Sequence, residues 1–339
     1  MTRDLTALTY RSQQRRLRQV AQTALTSYGL ADARLVLVKY EDSAVYRVTD
    51  TKDNQYALRM MVTADAEKPE LLSQMLWLTG LRHDTELLVP EPIPALNGAF
   101  VLSLSVTGVT RAQCCLLRWV PGRPIIKDPN PEKLVLAGTI AAQLQEHARH
   151  WTSPPDFVRP HWDLDWLLSS SSVLSAPEKL AAFGKRGRAV IREASTRIRR
   201  EVAVLGQKAD TFGLIHADLN LGNFAVQGTC MGVIDFDDCG WGYYPYDLAV
   251  MLCSLRHVVV DPVRQTQLAE AYLAGYAHIR ALPDQFVRML PTFMAFRELA
   301  ITAFILESTN LRVGQWKQAR IETAVERLGA YLSDGALLV

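Results

Sequence analysis

The chain has 339 residues, of which 49% are apolar and 21% charged, and its formal net charge at pH 7 is +2. The length is sufficient for two lobes or domains, since domains commonly contain about 100–200 residues. The balanced charge gives no reason to expect a nucleic-acid or membrane partner, and the longest apolar runs fall short of the roughly 20 residues of a membrane helix. We therefore predict a globular protein that binds neither nucleic acid nor membrane.

The N-terminus and the cysteines both favour a cytoplasmic location. Residues 1–20 include basic side chains but no apolar core of a secretory signal. The five cysteines are odd in number and form no CxxC pair, which is typical of a protein from a reducing compartment. We interpret them as small, buried apolar side chains. The sequence contains no signal for the oligomeric state.

The first third of the chain is rich in predicted strands. It opens with a predicted amphipathic helix at 11–28, and the polar segment TKDN predicts a hairpin turn between two strands. A later helix is predicted to begin directly after Lys68, because proline is well tolerated at the first helical position. The predicted strands are residues 34–40, 44–50, 55–62, 100–106 and 113–120.

The remainder of the chain is predicted to be mainly helical. Only two short strand-like pieces are expected to interrupt the helices, FGLIH with NFAVQ, and MGVIDF. A strand-rich part followed by a helix-rich part predicts two lobes joined near LLRWVPG, residues 116–122. The predicted helices are residues 131–150, 177–205, 262–280, 284–309 and 314–332.

Polar residues are concentrated in two neighbouring segments of this second part. HADLNLGN, residues 216–223, lies between apolar stretches, and IDFDD follows at 234–238. Buried charge is costly unless something pairs with it. Repeated carboxylates and carboxamides therefore indicate a bound cation or a reactive ligand.

The pattern between these segments predicts a hairpin with its turn at Gly228. Such a hairpin would bring Asn223, at the start of one strand, close to Asp235, at the end of the other. One carboxylate and one carboxamide oxygen form a site suited to Mg²⁺. Asp218 lies in the preceding loop, where it could accept a proton from an attacking hydroxyl group.

This arrangement resembles the H-x-D-x-x-x-x-N catalytic loop of kinases, followed by a metal-binding aspartate on the next hairpin. The chain lacks the D-F-G, A-P-E and G-x-G-x-x-G motifs of protein kinases, and it contains GYYPYDLAVML at 242–252. In these details it is similar to the aminoglycoside phosphotransferase and choline kinase-like family, whose P-x-x-D-L-A motif begins a helix. The resemblance extends over roughly residues 30–310.

The resemblance implies an α+β, two-lobed protein-kinase-like fold. A nucleotide-binding lobe with the opening helix and a small antiparallel sheet is expected at 1–117, a hinge at 118–122, and a mainly helical lobe with the catalytic loop and acceptor site at 123–339. In the hinge, backbone groups of Arg118 and Val120 would contact adenine.

The implied activity is ATP- and Mg²⁺-dependent transfer of the γ-phosphoryl group to a hydroxyl group of a small molecule. Aminoglycosides, sugars, amino alcohols and homoserine-like amino acids remain open as acceptors, and so does a preference for GTP over ATP.

The same resemblance assigns roles to residues of the polar segments. Asp218 is implied to be the catalytic base, and Asn223 and Asp235 to hold the metal ion. His216 belongs to the same catalytic group, where we expect it to pack and to hydrogen-bond the loop rather than to transfer protons.

Four further aspartates are candidates for supporting roles. Asp237 is expected to support the metal site or to bind the acceptor. Asp247 is expected to cap the helix that contains DLAVML and to brace the loop. Asp163 and Asp165 either line an acceptor pocket or cap a helix.

The nucleotide site departs from the usual kinase pattern. Arg59 stands where kinases have a phosphate-binding lysine, but arginine keeps the charge and can bind phosphate through two N–H groups. Its expected partner is Gln74, with Glu70 as the alternative. Ser43, with neighbouring backbone N–H groups, is the candidate for the phosphate loop, since this segment contains no glycine.

Two other activities remain open at this point. One is a protein serine/threonine kinase of the same fold. The other is a catalytically weak, nucleotide-binding pseudokinase, which Arg59, Gln74 and the glycine-free segment would favour.

Overall fold

The structure is a computed structural model. It describes residues 9–40, 43–62, 69–106, 109–308 and 311–334. The chain divides into two compact units, namely residues 1–120 with 153–158, and residues 121–152 with 159–339.

The first unit contains an antiparallel sheet with the strand order β1-β2-β3-β6-β4, in which β5 also pairs with β6. Its elements are α1 (Tyr10–Ser27), β1 (Arg34–Tyr40), β2 (Ala44–Thr49), β3 (Gln55–Val62), α2 (Pro69–Asp84), β4 (Pro92–Ile93), β5 (Val101–Val106) and β6 (Val109–Arg118). The predicted bounds of β1 and β3 and the predicted start of α2 are confirmed.

The hairpin between β2 and β3 is formed by its own local sequence. The Asp50 carboxylate accepts hydrogen bonds from the backbone N–H groups of Lys52 and Asn54, at 2.8 and 2.9 Å. Asp53 adopts a left-handed conformation with φ 62°, which aspartate tolerates better than most residues. The turn lies at the predicted position.

The second unit is mainly helical and contains two small three-stranded sheets, β11-β10-β7 and β8-β12-β9. Its elements are β7 (Arg123–Pro124), α3 (Pro131–His150), β8 (His161–Trp162), α4 (Leu164–Leu168), α5 (Pro177–Leu180), α6 (Gly184–Ala203), β9 (Phe212–Ile215), β10 (Phe224–Gln227), β11 (Cys230–Val233), β12 (Gly240–Tyr243), α7 (Tyr244–Val258), α8 (Pro262–Ala277), α9 (Asp284–Glu307) and α10 (Leu311–Asp334).

The predicted hairpin is formed by β10 and β11. The strands pair from Phe224 with Val233 to Gln227 with Cys230, and Gly228 has φ 61° in the turn between them. The backbone N–H of Ile234 donates to the carbonyl oxygen of the residue before β10, at 2.9 Å. The hairpin therefore places residue 235 next to residue 223, as predicted.

The prediction of only two short strand-like pieces in this part of the chain was wrong, because β7, β8 and β12 are also strands. The sequence of β12, GWGY, has no apolar alternation. A Cβ atom at Gly240 would collide with the carbonyl oxygen of Pro160. Glycine therefore allows β12 to approach the segment that contains Pro160. β12 forms because β8 and β9 pair with it, and its own sequence pattern does not predict a strand.

The prediction of one continuous helix at 177–205 was also wrong. It is divided into α5, a 3₁₀ turn at 181–183, and α6. Gly184 has φ 61°, a conformation that glycine adopts without steric cost, and this changes the direction of the chain where α6 begins.

Helix α9 is long and apolar enough to span a membrane by length and composition, with a mean hydropathy of 1.5. However, 78% of its apolar window is buried inside the protein. Burial of this extent is typical of a core helix, so the helix is weak support for a membrane span.

Candidate active site

The loop at 216–223, which connects β9 to β10, is held in place by the buried Asp247. One oxygen of Asp247, Oδ2, accepts from the backbone N–H of His216 at 3.1 Å, and Oδ1 accepts from that of Ala217 at 2.7 Å. The side-chain amide of Gln145 donates to Oδ2 at 3.5 Å. Burial raises the pKa of Asp247 to about 7, although these donors act in the opposite direction.

Asp247 thus braces the loop as predicted, but its predicted capping of α7 is not observed. The N-cap of α7 is Tyr243, and no side chain caps this helix end. Asp247 lies inside the first turn, from which its carboxylate reaches the loop instead of the N–H groups of its own helix.

His216 is fully buried and connects the loop to the hairpin. Its Nε2 hydrogen-bonds the carbonyl oxygen of Ile234 at 3.1 Å, and its Nδ1 accepts from the backbone N–H of Asp218 at 3.3 Å. The ring packs against Phe236, with 4.5 Å between ring centroids. Burial lowers the pKa of His216, so the ring is neutral, and its contacts are the packing and hydrogen bonding expected of it.

Acidification is expected to destabilise the protein through His216. The unfolded chain takes up a proton on this residue near about pH 6.5, whereas burial keeps the pKa of the folded residue lower. Its stability contribution is therefore complete above about pH 6.5 and is lost as the pH falls, by up to about 1.4 kcal/mol per pH unit. The raised pKa values of Asp247 and Asp238 act in the opposite direction over this range. The contribution of His216 is therefore measured as a difference between wild type and a His216 variant in urea unfolding between about pH 7.5 and about pH 5.

On acidification, the free energy of unfolding of His216→Gln should fall less, or rise more, than that of wild type. The matched control is His257→Gln, which changes an exposed histidine of the same unit and should retain the wild-type slope. Equal slopes in wild type and His216→Gln would contradict the prediction.

The carboxylate of Asp218 is held by side-chain donors on both oxygens. Oδ2 accepts from the amide groups of Asn220 and Asn223, each at 2.9 Å. Oδ1 forms an ion pair with Arg297 at 2.5 Å. These contacts fix the orientation of the carboxylate and stabilise its charge.

The sequence patterns predict no role for Arg297 in the site. It lies in α9, 79 residues from Asp218, and it also donates to the hydroxyl group of Tyr246 at 3.2 Å. The available signal was a charged residue within an apolar, buried helix, because such a charge requires a partner. The sequence does not show that the partner is Asp218.

Asn223 and Asp235 have the free oxygen atoms that a cation site requires. The amide nitrogen of Asn223 is directed at Asp218, and its Oδ1 accepts no hydrogen bond from any residue that the structure describes. The Asp235 carboxylate is exposed and likewise has no hydrogen-bond donor among the described residues. One carboxylate and one amide oxygen fit Mg²⁺, which usually takes its other ligands from phosphates and water.

The described residues do not add a cluster of the usual protein metal ligands to this pair. Over the described ranges, no group of three or more His, Cys, Asp and Glu side chains could hold a metal ion. A cation here would depend on oxygen atoms of a bound ligand, as in sites built around substrate phosphates.

The backbone is unusual at two positions of this site. Among the described residues other than glycine, positive φ angles occur at Asp53, Ala217 and Asp235. The first lies in a hairpin turn, whereas the other two, with φ 66° and 67°, flank the polar cluster. Such conformations cost roughly 1–3 kcal/mol and concentrate at functional sites. Their positions support the assignment of the cluster as a site.

The segment after Asp235 is fixed by its backbone carbonyl groups. The guanidinium group of Arg159 donates to the carbonyl oxygens of Asp237 and Cys239. The indole N–H of Trp162 donates to the carbonyl oxygen of the residue between them, at 2.7 Å. The predicted role of Asp237 in metal support or acceptor binding stays a prediction.

Asp163 and Asp165 lie at the start of α4. The carboxylate of Asp163 accepts from the backbone N–H of Trp166 at 2.9 Å. Asp163 therefore caps α4, which is one of the two roles predicted for it. Asp165 is exposed in the first turn of the same helix.

In the first unit, Arg59 contacts Gln74 and Ser43, the two other residues predicted to belong to the phosphate-binding part of the nucleotide site. It donates to Oε1 of Gln74 at 3.3 Å and to Oγ of Ser43 at 3.4 Å. The predicted contact between Arg59 and Gln74 is therefore present. Whether these residues bind phosphate stays a prediction.

Arg118, which is predicted to contact adenine through its backbone, lies at the end of β6. Its backbone N–H donates to the carbonyl oxygen of Glu91 at 2.8 Å, and its side chain pairs with the Glu91 carboxylate at 2.8 Å. Its guanidinium group also lies 5.5 Å from the ring centroid of Tyr56. The N–H is thus engaged within the sheet, because β4 and β6 are neighbours. The adenine contacts predicted for backbone groups of Arg118 and of Val120, which is buried, stay predictions.

Comparison with known proteins identifies the family. Residues 34–285 match the family model described as "Phosphotransferase enzyme family". The chain belongs to this family. The predicted family and the predicted enzyme class are thereby confirmed.

Relatives of this phosphotransferase include small-molecule kinases. It is 23% identical to amicoumacin kinase from Bacillus subtilis over 86% of each chain. It is 24% identical to hydroxylysine kinase from Mus musculus, over 72% of this chain and 69% of the relative.

Solved structures agree with this relationship. A microcompartment-associated aminopropanol kinase is 29% identical, with a TM-score of 0.82 over 95% of this chain and 100% of that one. Spectinomycin phosphotransferase shares the fold at 13% identity, with a TM-score of 0.66 over 92% and 97% of the chains. The predicted α+β protein-kinase-like fold is confirmed. This phosphotransferase is an enzyme that transfers phosphate to hydroxyl groups of small molecules.

Removing the ion pair on Asp218 is expected to reduce turnover. In Arg297→Met the carboxylate loses its Oδ1 donor, so kcat should fall roughly 10- to 100-fold, as for other partners that orient reactive groups. The KM for ATP should be unchanged. Arg297→Lys retains a cation and should recover part of the loss. Steady-state kinetics and thermal unfolding of each variant provide the measurement.

The control is Arg320→Met, which removes an ion pair of 3.0 Å with Glu298 in the same unit. It should lower stability without lowering kcat per folded molecule. A purely structural role of Arg297 would be indicated if its variants changed stability alone.

Proposed function

We propose that this phosphotransferase moves the γ-phosphoryl group of ATP, with Mg²⁺, to a hydroxyl group of a small amino alcohol. The observation that supports this most directly is the oriented Asp218 carboxylate beside the free oxygen atoms of Asn223 and Asp235. The names of the aminopropanol and hydroxylysine kinases indicate acceptors that carry both an amine and a hydroxyl group. The same acceptor class is proposed for this chain.

Asp218 is proposed to act as the base. Its Oδ2 accepts two hydrogen bonds and its Oδ1 one, and a carboxylate has about four acceptor positions. Oδ1 therefore has room for the hydroxyl group of the acceptor. The proton that leaves this hydroxyl as the phosphoryl group is transferred passes to Asp218.

The metal ion is proposed to be held by Asn223 and Asp235. When bound, it would neutralise charge on the transferring phosphates. The chain itself contributes the fixed positions of these two oxygen ligands. Asn223 has a second role, because its amide nitrogen orients Asp218 while its oxygen faces away from that carboxylate.

Nucleotide binding is proposed for Arg59, Ser43 and Gln74, with backbone groups of Arg118 and Val120 as the adenine contacts. The contacts of Arg59 with Gln74 and Ser43 support a fixed guanidinium group that can bind phosphate through two N–H groups. We also propose a cytoplasmic location, on the basis of the cysteine content.

The other two activities have less support. The named relatives are small-molecule kinases, and their names do not describe protein kinases or inactive nucleotide-binding proteins. An acceptor panel separates all three possibilities.

The test is incubation with ATP, Mg²⁺ and a panel of small amino alcohols, hydroxy amino acids, sugars, aminoglycosides and added protein. ADP release and phosphorylated products, identified by mass spectrometry, are measured. We expect a phosphomonoester of an amino alcohol. Labelling of added protein alone would support a protein kinase, and ADP release without any phosphorylated acceptor would overturn the proposal.

A further inference from the structure

Asp238 differs from Asp218 and Asp247 because no donor among the described residues pairs with its carboxylate. Its side chain is partly buried, yet it accepts no hydrogen bond from the residues that the structure describes. Asp218 and Asp247, by contrast, are each held by several donors. A partly buried carboxylate without donors is costly. This points to a ligand that supplies a positive charge next to the carboxylate.

The position of Asp238 is fixed. Its own carbonyl oxygen accepts from Trp162, and Arg159 holds the carbonyl groups on either side. The side chain therefore projects from a rigid segment instead of a mobile loop. A rigid carboxylate can bind one group of a small molecule at a defined distance from the base.

The charges around Asp238 favour a cationic ligand. The pKa of Asp238 is raised to about 6, mainly by burial and also by the negative charges of Asp218 and Asp235, against the opposing effect of Arg297 and Arg159. Both arginines are engaged elsewhere, one with Asp218 and the other with backbone carbonyl groups. A cation bound here would relieve the repulsion among the carboxylates.

Aromatic rings lie beside the backbone of Asp238 and indicate the kind of cation. Trp162, which binds the Asp238 carbonyl, packs edge-on against Trp166 at 4.7 Å and parallel to Tyr246 at 6.0 Å between centroids. Trp166 is 39% exposed. Aromatic faces attract organic ammonium groups, whereas a metal ion would require more oxygen ligands.

The ammonium position and the base are connected. Tyr246 contacts Trp162 on one side, and its hydroxyl accepts from Arg297 on the other. Arg297 in turn holds Asp218. Asp218 is also close enough to Asp238 for its negative charge to raise the pKa of Asp238. A short molecule with a cationic end and a hydroxyl end could therefore contact both carboxylates.

We infer that Asp238, with the aromatic side chains of Trp162 and Trp166, binds the ammonium group of the acceptor and selects amino alcohols over neutral alcohols. This inference rests on the proposed function, and it adds the residues that distinguish the acceptor. Asp238 determines which acceptor is bound, whereas Asp218 activates the hydroxyl group of that acceptor.

The test uses a matched pair of acceptors, 1-amino-2-propanol and 1,2-propanediol, which differ in the ammonium group. Wild type should prefer the amine in kcat/KM. Asp238→Asn should lower kcat/KM for the amine roughly 10- to 100-fold, mostly through KM, as expected for loss of a hydrogen bond to a charged group. Its kcat/KM for the diol and its KM for ATP should be unchanged.

Trp166→Ala is a second variant at a partly exposed position. It should raise the KM for the amine by about 2- to 5-fold and leave the diol unaffected. Asp284→Asn, at an exposed position of the same unit, makes the same charge change outside the site and should leave both acceptors unaffected.

The outcomes separate the inference from the proposed function. If wild type phosphorylates no hydroxyl compound, the proposed function fails. If wild type phosphorylates both acceptors equally well, or if Asp238→Asn lowers kcat/KM equally for both, only the ammonium site is overturned. An effect of Asp284→Asn as large as that of Asp238→Asn would also overturn it, because general electrostatics would then explain the preference.

Discussion

Asp218→Asn is expected to lower kcat by about 10²–10⁴-fold, the usual contribution of a positioned general base. An amide cannot take the proton of the acceptor hydroxyl. Binding of ATP should persist, because Asp218 is proposed to contact the acceptor and not the nucleotide. Single-turnover transfer and calorimetric titration with ATP would measure the two effects separately.

The substitution also changes hydrogen bonding, and this requires a control. An asparagine at 218 would present its NH₂ group either to Asn220 and Asn223 or to Arg297, and all of these are donors. Asn220→Ala removes one of these donors while keeping the base. It should cause a much smaller loss of kcat, and both variants should be compared by thermal unfolding. Unchanged turnover in Asp218→Asn would end the assignment of this residue as the base.

Asp235→Asn is expected to lower kcat/KM by roughly 10²–10³-fold, comparable to removing one preorganised electrostatic contact in a transition state. The carboxylate is the charged member of the proposed cation pair, and an amide would bind Mg²⁺ more weakly. Asparagine tolerates the left-handed backbone of this position, so the fold should be retained. A higher Mg²⁺ concentration should be needed for half-maximal activity.

Metal binding can also be measured without turnover. Addition of Mg²⁺ with a non-hydrolysable ATP analogue should raise the unfolding temperature of wild type, because the ligands bind the native state. The rise should be smaller in Asp235→Asn. Asp156→Asn, which changes an exposed aspartate of the other unit, should behave as wild type. An unchanged Mg²⁺ dependence in Asp235→Asn would contradict its role as a ligand.

Local sequence patterns were sufficient for much of the fold and for the centre of the site. The strands at 34–40 and 55–62 and the helix at 131–150 lie where the patterns predict them. The same holds for the turn at Gly228 and hence for the proximity of residues 223 and 235. Each of these features depends on residues close together in the chain, since turns, caps and apolar periodicity are short-range properties.

Other features depend on partners far along the chain. Arg297 reaches Asp218 across 79 residues, and Asp247 braces the loop at 216–217 instead of capping its own helix. No residue in the described part of the chain donates a hydrogen bond to the Asp238 carboxylate. A sequence shows which groups must be paired when they are buried, but the identity of each partner follows from the packing of distant elements. For this reason the candidate base could be found by reading the chain, whereas the residues that orient it, and the carboxylate free for a ligand, could be recognised only in the folded protein.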